Sequence, residues 1–130
     1  NLKILKEVIS CPLLDPNACS ANYPHPLHYL ITTKGNSPDF LDALLILLSN
    51  SRIDVNFPNK MGQTPLYCLL DVEMNKYDAV RAMLGDRRCF YDVPCNNGEK
   101  METPLMKAMA LKDQMLIKAL TEAGATPFIF

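Results

Sequence analysis

The chain has 130 residues, 48% of them hydrophobic and 21% charged, with thirteen basic and fourteen acidic side chains for a net charge of −1. This balance belongs to a folded, water-soluble chain of one domain or one short stack of repeats, and it excludes bulk disorder. The longest basic pair is Arg87-Arg88, so the basic stripe that neutralises a nucleic-acid backbone is missing and no nucleic-acid partner is expected.

Taken in order, residues 1–10 set Leu2, Ile4, Leu5, Val8 and Ile9 on one helical stripe against Lys3, Lys6 and Glu7, and Pro12 and Pro16 end it. A finger over residues 15–25 leads into a short helix over 26–33 that turns Leu27, Leu30 and Ile31 inward. Gly35 and Pro38 break the chain, and a second helix runs to about residue 49 with Phe40, Leu41, Leu44, Leu45, Leu47 and Leu48 as a broad apolar face. Residues 54–67 form a tight two-armed finger running into a helix start. Gly62 supplies a turn residue with positive φ, Thr64 the N-cap hydroxyl, and Pro65 a first helical residue whose missing N–H costs nothing. Helices are expected over 65–72 and 77–84, with Gly85 as the stop. A longer finger over 87–101 carries the turn signal Asn96-Asn97-Gly98. A last helix pair covers 104–112 and 114–122 and stops at Gly124.

The helix starts recur at equal intervals along the chain: His25-Pro26-Leu27-His28, Thr64-Pro65-Leu66-Tyr67 and Thr103-Pro104-Leu105-Met106. An Asp-x-Asn partner recurs with them, as Asp15-Pro16-Asn17, Asp54-Val55-Asn56 and, weakened, Asp92-Val93-Pro94. A period of this size is the signature of stacked repeats.

The finger followed by a Thr-Pro-Leu start resembles the ankyrin repeat, and Gly124-Ala125-Thr126-Pro127 resembles that family's unit ending with threonine in place of aspartate. The resemblance implies an all-α, ankyrin-like solenoid of stacked helix-turn-helix units with short β-hairpin fingers. Its single domain spans 1–130, as a half unit 1–22 and units 23–61, 62–100 and 101–130. From helix start to Asp position the units run 25–54, 64–92 and 103–126, so the first two are elongated on the side away from the fingers. The motif histidine is kept as His28 and replaced by Tyr67 and Met106; the family's small residue is kept as Ala108 and replaced by Leu30 and Leu69. Asn1 is not a methionine, and Leu116, Ala119, Leu120 and Phe128-Ile129-Phe130 lack the polar cap of a terminal repeat. The chain is therefore read as a segment of a longer protein whose ends pack on other segments or copies.

Chemistry of its own is not expected. Cys11, Cys19, His25 and His28 match no compact zinc-knuckle spacing, so no metal and no cofactor is expected. Two histidines at one helix start leave distant Cys68 and Cys89 without a base, and neither a GxSxG elbow nor a phosphate-cradling glycine loop occurs, so the chain reads as no enzyme. Five cysteines without CxxC spacing suit a reducing compartment. With no signal peptide read and no apolar run near the roughly 18 residues of a bilayer span, the expected location is cytoplasmic or nuclear, without a membrane partner. Met83, Met106, Met109 and Met115 fall at helical core positions, and Met61 and Met101 near finger tips.

What the resemblance implies is a protein or peptide partner bound on the concave surface of fingers and inner helices. Tyr29, Cys68 and Lys107 recur at the interval of the helix starts, beside the inward Leu30, Leu69 and Ala108, so stacking aligns them. With Thr32 and Asp71, and with finger residues Phe57, Asn59, Met61 and Asn96, they form the candidate site. The alternative is an architectural spacer that packs against other domains of a longer protein, enzymatic or a viral host-interaction protein.

Overall fold

The computed structural model describes residues 17, 25–34, 38–72 and 76–126. The expected leading helix, Cys11, Cys19 and Phe128 to Phe130 lie outside the described residues. Within them the chain is mostly helical, with six helices and one two-stranded sheet: α1 (Pro26–Lys34), α2 (Phe40–Leu48), α3 (Pro65–Leu69), α4 (Lys76–Leu84), β1 (Cys95–Asn96), β2 (Met101–Glu102), α5 (Pro104–Ala110) and α6 (Gln114–Ala123).

Local chemistry starts these helices. Thr64 and Thr103 are extended, at ψ 159° and 163°, and their hydroxyls accept the N–H of Tyr67 at 3.4 Å and of Met106 at 3.3 Å. Each such cap is worth about 1 kcal/mol. At the third start His25 takes threonine's place: its Nδ1 accepts the Leu27 N–H at 3.2 Å. Helix α3 is shorter than expected. Leu70, Asp71 and Val72 bond back three residues, to Tyr67, Cys68 and Leu69, so the last turn tightens into a 3₁₀ winding.

The helices pack as pairs, α1 on α2, α3 on α4 and α5 on α6. The first helices also touch in series, α1 to α3 to α5, as do the second ones, α2 to α4 to α6. One apolar core runs through all six and includes Leu27, Phe40, Leu44, Leu47, Leu66, Leu69, Val80 and Met83. Two expectations are corrected. Leu116 and Leu120 are fully buried, because α6 turns them toward the core as it packs on α4 and α5. Conversely Met109 and Met115 are exposed. Each lies about 100° round its helix from a buried neighbour, Ala108 or Leu116, on a side no described helix covers.

Strand pairing occurs in one described finger, where Cys95 faces Glu102 and Asn96 faces Met101. The central finger closes instead by two turn bonds, Asn59 N–H to Gln63 O and Gly62 N–H to Asn59 O, both 2.9 Å, with Gly62 at φ 78°.

Side chains tie each finger base to the next. Asn17 accepts the Asp54 N–H at 2.7 Å and donates to Arg52 O at 2.6 Å; Asn56 accepts the Phe90 N–H at 2.7 Å and donates to Arg88 O at 2.6 Å. Asp92 accepts the Thr126 N–H at 3.0 Å. Asp92 therefore does the work of Asn56, and Phe90, not Asp92, stands where Asp54 does. Measured from helix start to these bonded residues, the units run 25–54, 64–90 and 103–126, each shorter than the one before. The equal interval between helix starts survives because the third finger gains the residues its unit lost.

Candidate functional site

The first turns of α1 and α3 and the central finger meet around His28. This imidazole is buried, and its Nε2 donates to Phe57 O at 2.6 Å, which leaves Nδ1 as the acceptor, 3.9 Å from Cys68 Sγ. Phe57 in turn stacks on the His25 ring, with centroids 4.6 Å apart and planes 14° from parallel. Asn59 holds the tip: its Oδ1 accepts the N–H groups of Met61 and Gln63, each at 2.9 Å, while its Nδ2 reaches Gln63 Oε1 at 3.1 Å and Cys68 Sγ at 3.7 Å. Gln63 continues the line by donating to Asn96 O at 2.6 Å in β1.

A second cluster lies between α3 and α5. Lys107 Nζ pairs with the Asp71 carboxylate and rests 4.2 Å from the centre of the Tyr67 ring. The Tyr67 hydroxyl donates to Glu102 Oε1 at 2.6 Å, both residues being buried. Burial first, then the Glu102 bond and charge, push the Tyr67 hydroxyl well above its ordinary range, so it stays a donor. The Lys107 side chain is largely covered, and that of Asp71 remains open to solvent.

Of the nine candidate residues, Phe57, Asn59 and Cys68 are joined through His28, Asn96 is linked through Gln63, and Asp71 is paired with Lys107. Tyr29 and Met61 are exposed at 55% and 54%. Thr32 spends its hydroxyl on its own helix, bonding His28 O at 2.9 Å and Tyr29 O at 3.2 Å. Asp71 and Lys107 thus have an explanation in packing that the sequence alone conceals, as has Asn59, whose polar atoms shape the finger.

The structure corrects the statement that Cys68 has no base near it. His28 is distant in the chain and 3.9 Å away in space. Burial nevertheless pushes the thiol up to about 11, against the downward pull of Lys107, and burial pulls His28 below the usual histidine range against its bond to Phe57 O. Burial thus favours the neutral form of both partners, thiol and imidazole. Cys89, also buried, is raised to about 12. Among the described residues no three His, Cys, Asp or Glu side chains group to hold a metal ion, and no helix is long and apolar enough to cross a membrane.

No family model, no curated protein and no solved structure gives a significant match to the chain.

Sequence reasoning missed Tyr67, Glu102 and Gln63 as the residues that bind fingers to helices. The signal was partial: a polar residue precedes each threonine cap, Gln63 before Thr64 and Glu102 before Thr103. Its partner in space carries no mark in the sequence.

Proposed function

We propose that the chain is an ankyrin-like solenoid that binds a protein or peptide partner through its fingers and first helices, without chemistry of its own, in the cytoplasm or nucleus. One observation carries this reading: a line of contacts runs from His28 in α1, which also holds Phe57 O, through Cys68 to Asn59, Gln63 and Asn96 of the two fingers, and exposed Tyr29, Met61 and Met101 adjoin it. Flexible methionines and an exposed tyrosine on a braced scaffold suit adaptable apolar contact. The exposed faces of the second helices carry the charged Asp42, Asp78, Arg81, Lys118 and Glu122 alongside the apolar Leu45 and Met115 and the partly apolar Tyr77.

The spacer reading draws on a different observation. Met109, Leu111 and Met115 are exposed at 49%, 47% and 52% around the turn between α5 and α6, and they offer apolar area to another domain.

The test is affinity capture with the whole chain, identification of the partner by mass spectrometry, and titration of that partner. Replacing Tyr29, Met61 and Met101 together by serine is expected to weaken binding at least about tenfold with unchanged circular dichroism. Full affinity in that variant, with loss on replacing Met109, Leu111 and Met115, moves the surface to the α5–α6 turn.

A further inference from the structure

We infer that Asn97 is a site of spontaneous covalent modification, through ring closure onto Gly98, in preference to Asn59 at the tip of the central finger. This inference stands apart from the binding function.

Asn59 and Asn97 both accept two backbone N–H groups at the tips of the two fingers, in turns that close on the fourth residue after Asn59 and the third after Asn97. The Oδ1 of Asn59 accepts the N–H groups of Met61 and Gln63, and that of Asn97 accepts those of Glu99 at 2.9 Å and Lys100 at 2.8 Å. Two donors on one carbonyl oxygen polarise its carbon and stabilise negative charge that develops on that oxygen, as an oxyanion hole does. The difference lies in the next residue. Lys60 follows Asn59, and its side chain obstructs closure of a five-membered ring. Gly98 follows Asn97, has no side chain, takes φ 98°, and nothing lies within 4 Å of where a Cβ would stand. Residues 96–100 are all exposed, so water and hydroxide reach the tip.

The step balances with water alone. Hydroxide removes the Gly98 amide proton, for which the bond from Gly98 N–H to Asn96 Oδ1, 2.8 Å long, must open. The nitrogen then bonds to Asn97 Cγ, and the carbonyl electrons shift onto Oδ1 between its two donors. Their return expels the side-chain nitrogen, which leaves as ammonia after taking a proton from water. Water finally opens either carbonyl of the succinimide, leaving aspartate or isoaspartate at position 97. Isoaspartate adds a methylene to the main chain inside a turn closed by Asn97 N–H to Lys100 O at 3.0 Å. That addition disturbs the pairing of Asn96 with Met101 and the acceptor that Gln63 uses on the central finger.

The folded protein is incubated in mildly alkaline and mildly acidic buffers, then digested and read by mass spectrometry, with isoaspartyl methylation to mark the rearranged product. Asn97 is expected to react at least about tenfold faster than Asn59, and faster in the alkaline buffer. Asn97→Gln should abolish the signal, and Lys60→Gly should create a second one at Asn59. An Asn97 that stays intact in the folded chain but reacts in urea overturns the inference. So does an Asn59 that reacts as fast as Asn97, or one left inert by Lys60→Gly.

Discussion

The Tyr91 hydroxyl lies 2.8 Å from the point where a Cβ on Gly124 would stand, at a φ of 107°. Gly124 is the left-handed C-cap of α6, and its own N–H returns to Leu120 O and Thr121 O. Glycine is thus required twice, for backbone conformation and for the approach of a tyrosine from the preceding finger. Gly124→Ala is expected to destabilise the fold by about 2 kcal/mol in urea melts. Tyr91→Phe in the same chain should recover part of that loss, since the nearest remaining ring atom is 3.5 Å away. Equal stability of Gly124→Ala and the parent would mean that the turn rearranges freely.

Asn56 and Asp92 make equivalent links, each to a backbone N–H of the next finger base or unit ending. Asn56→Ala removes an acceptor and a donor together and leaves Phe90 N–H and Arg88 O without them, at an expected cost of about 1–3 kcal/mol. Asp92 acts here as an acceptor alone, so Asp92→Asn should stay within about 0.5 kcal/mol of the parent. A large loss in Asp92→Asn would show that its charge, not its acceptor, is what matters.

Arg88 latches two helix pairs. Its guanidinium donates to Leu48 O at 2.7 Å and to Asn50 O and Ile53 O at 3.0 Å each, while Asp86 holds it at 2.7 Å. It thereby satisfies carbonyls at and beyond the end of α2 that the helix itself leaves open. The bond to Arg88 holds the Asp86 carboxyl below its usual range. Lysine keeps the charge but not the fork, so Arg88→Lys is expected to cost about 1–2 kcal/mol, read as a lowered melting temperature. An unchanged melting temperature would assign the latch no weight.

Stability should depend on pH through His28. Its folded pKa is lowered, by burial first, while its Phe57 bond acts in the opposite sense. The unfolded chain therefore binds the proton more readily, and this contribution is complete above about pH 6.5. As pH falls below that value, protonation of the unfolded chain removes the contribution, until the folded imidazole also titrates. Urea midpoints should fall on acidification in the parent and less steeply in His28→Gln. Parallel slopes in the two proteins would remove His28 from the account.

Several features were legible in the sequence because they depend on residues close together in the chain. Thr64-Pro65 and Thr103-Pro104 start helices by capping, Gly62 and Gly98 take positive φ, and five of the six helices lie within about two residues of their expected bounds. The exception is α3, whose end tightened. Other features depend on partners in a neighbouring unit, far along the chain, and only the tertiary structure decided them. Asp92 could be aligned with Asp54 by its residue type, yet its bond to Thr126 places it with Asn56. Compensating changes in unit and finger length preserved the equal interval between helix starts and concealed this shift. The pairing of Lys107 with Asp71, the approach of His28 to Cys68, and the burial of Leu116 beside an exposed Met115 were equally hidden. A periodic pattern places a side chain on a face of its own helix, whereas which faces meet depends on how the loops deliver one helix pair to the next.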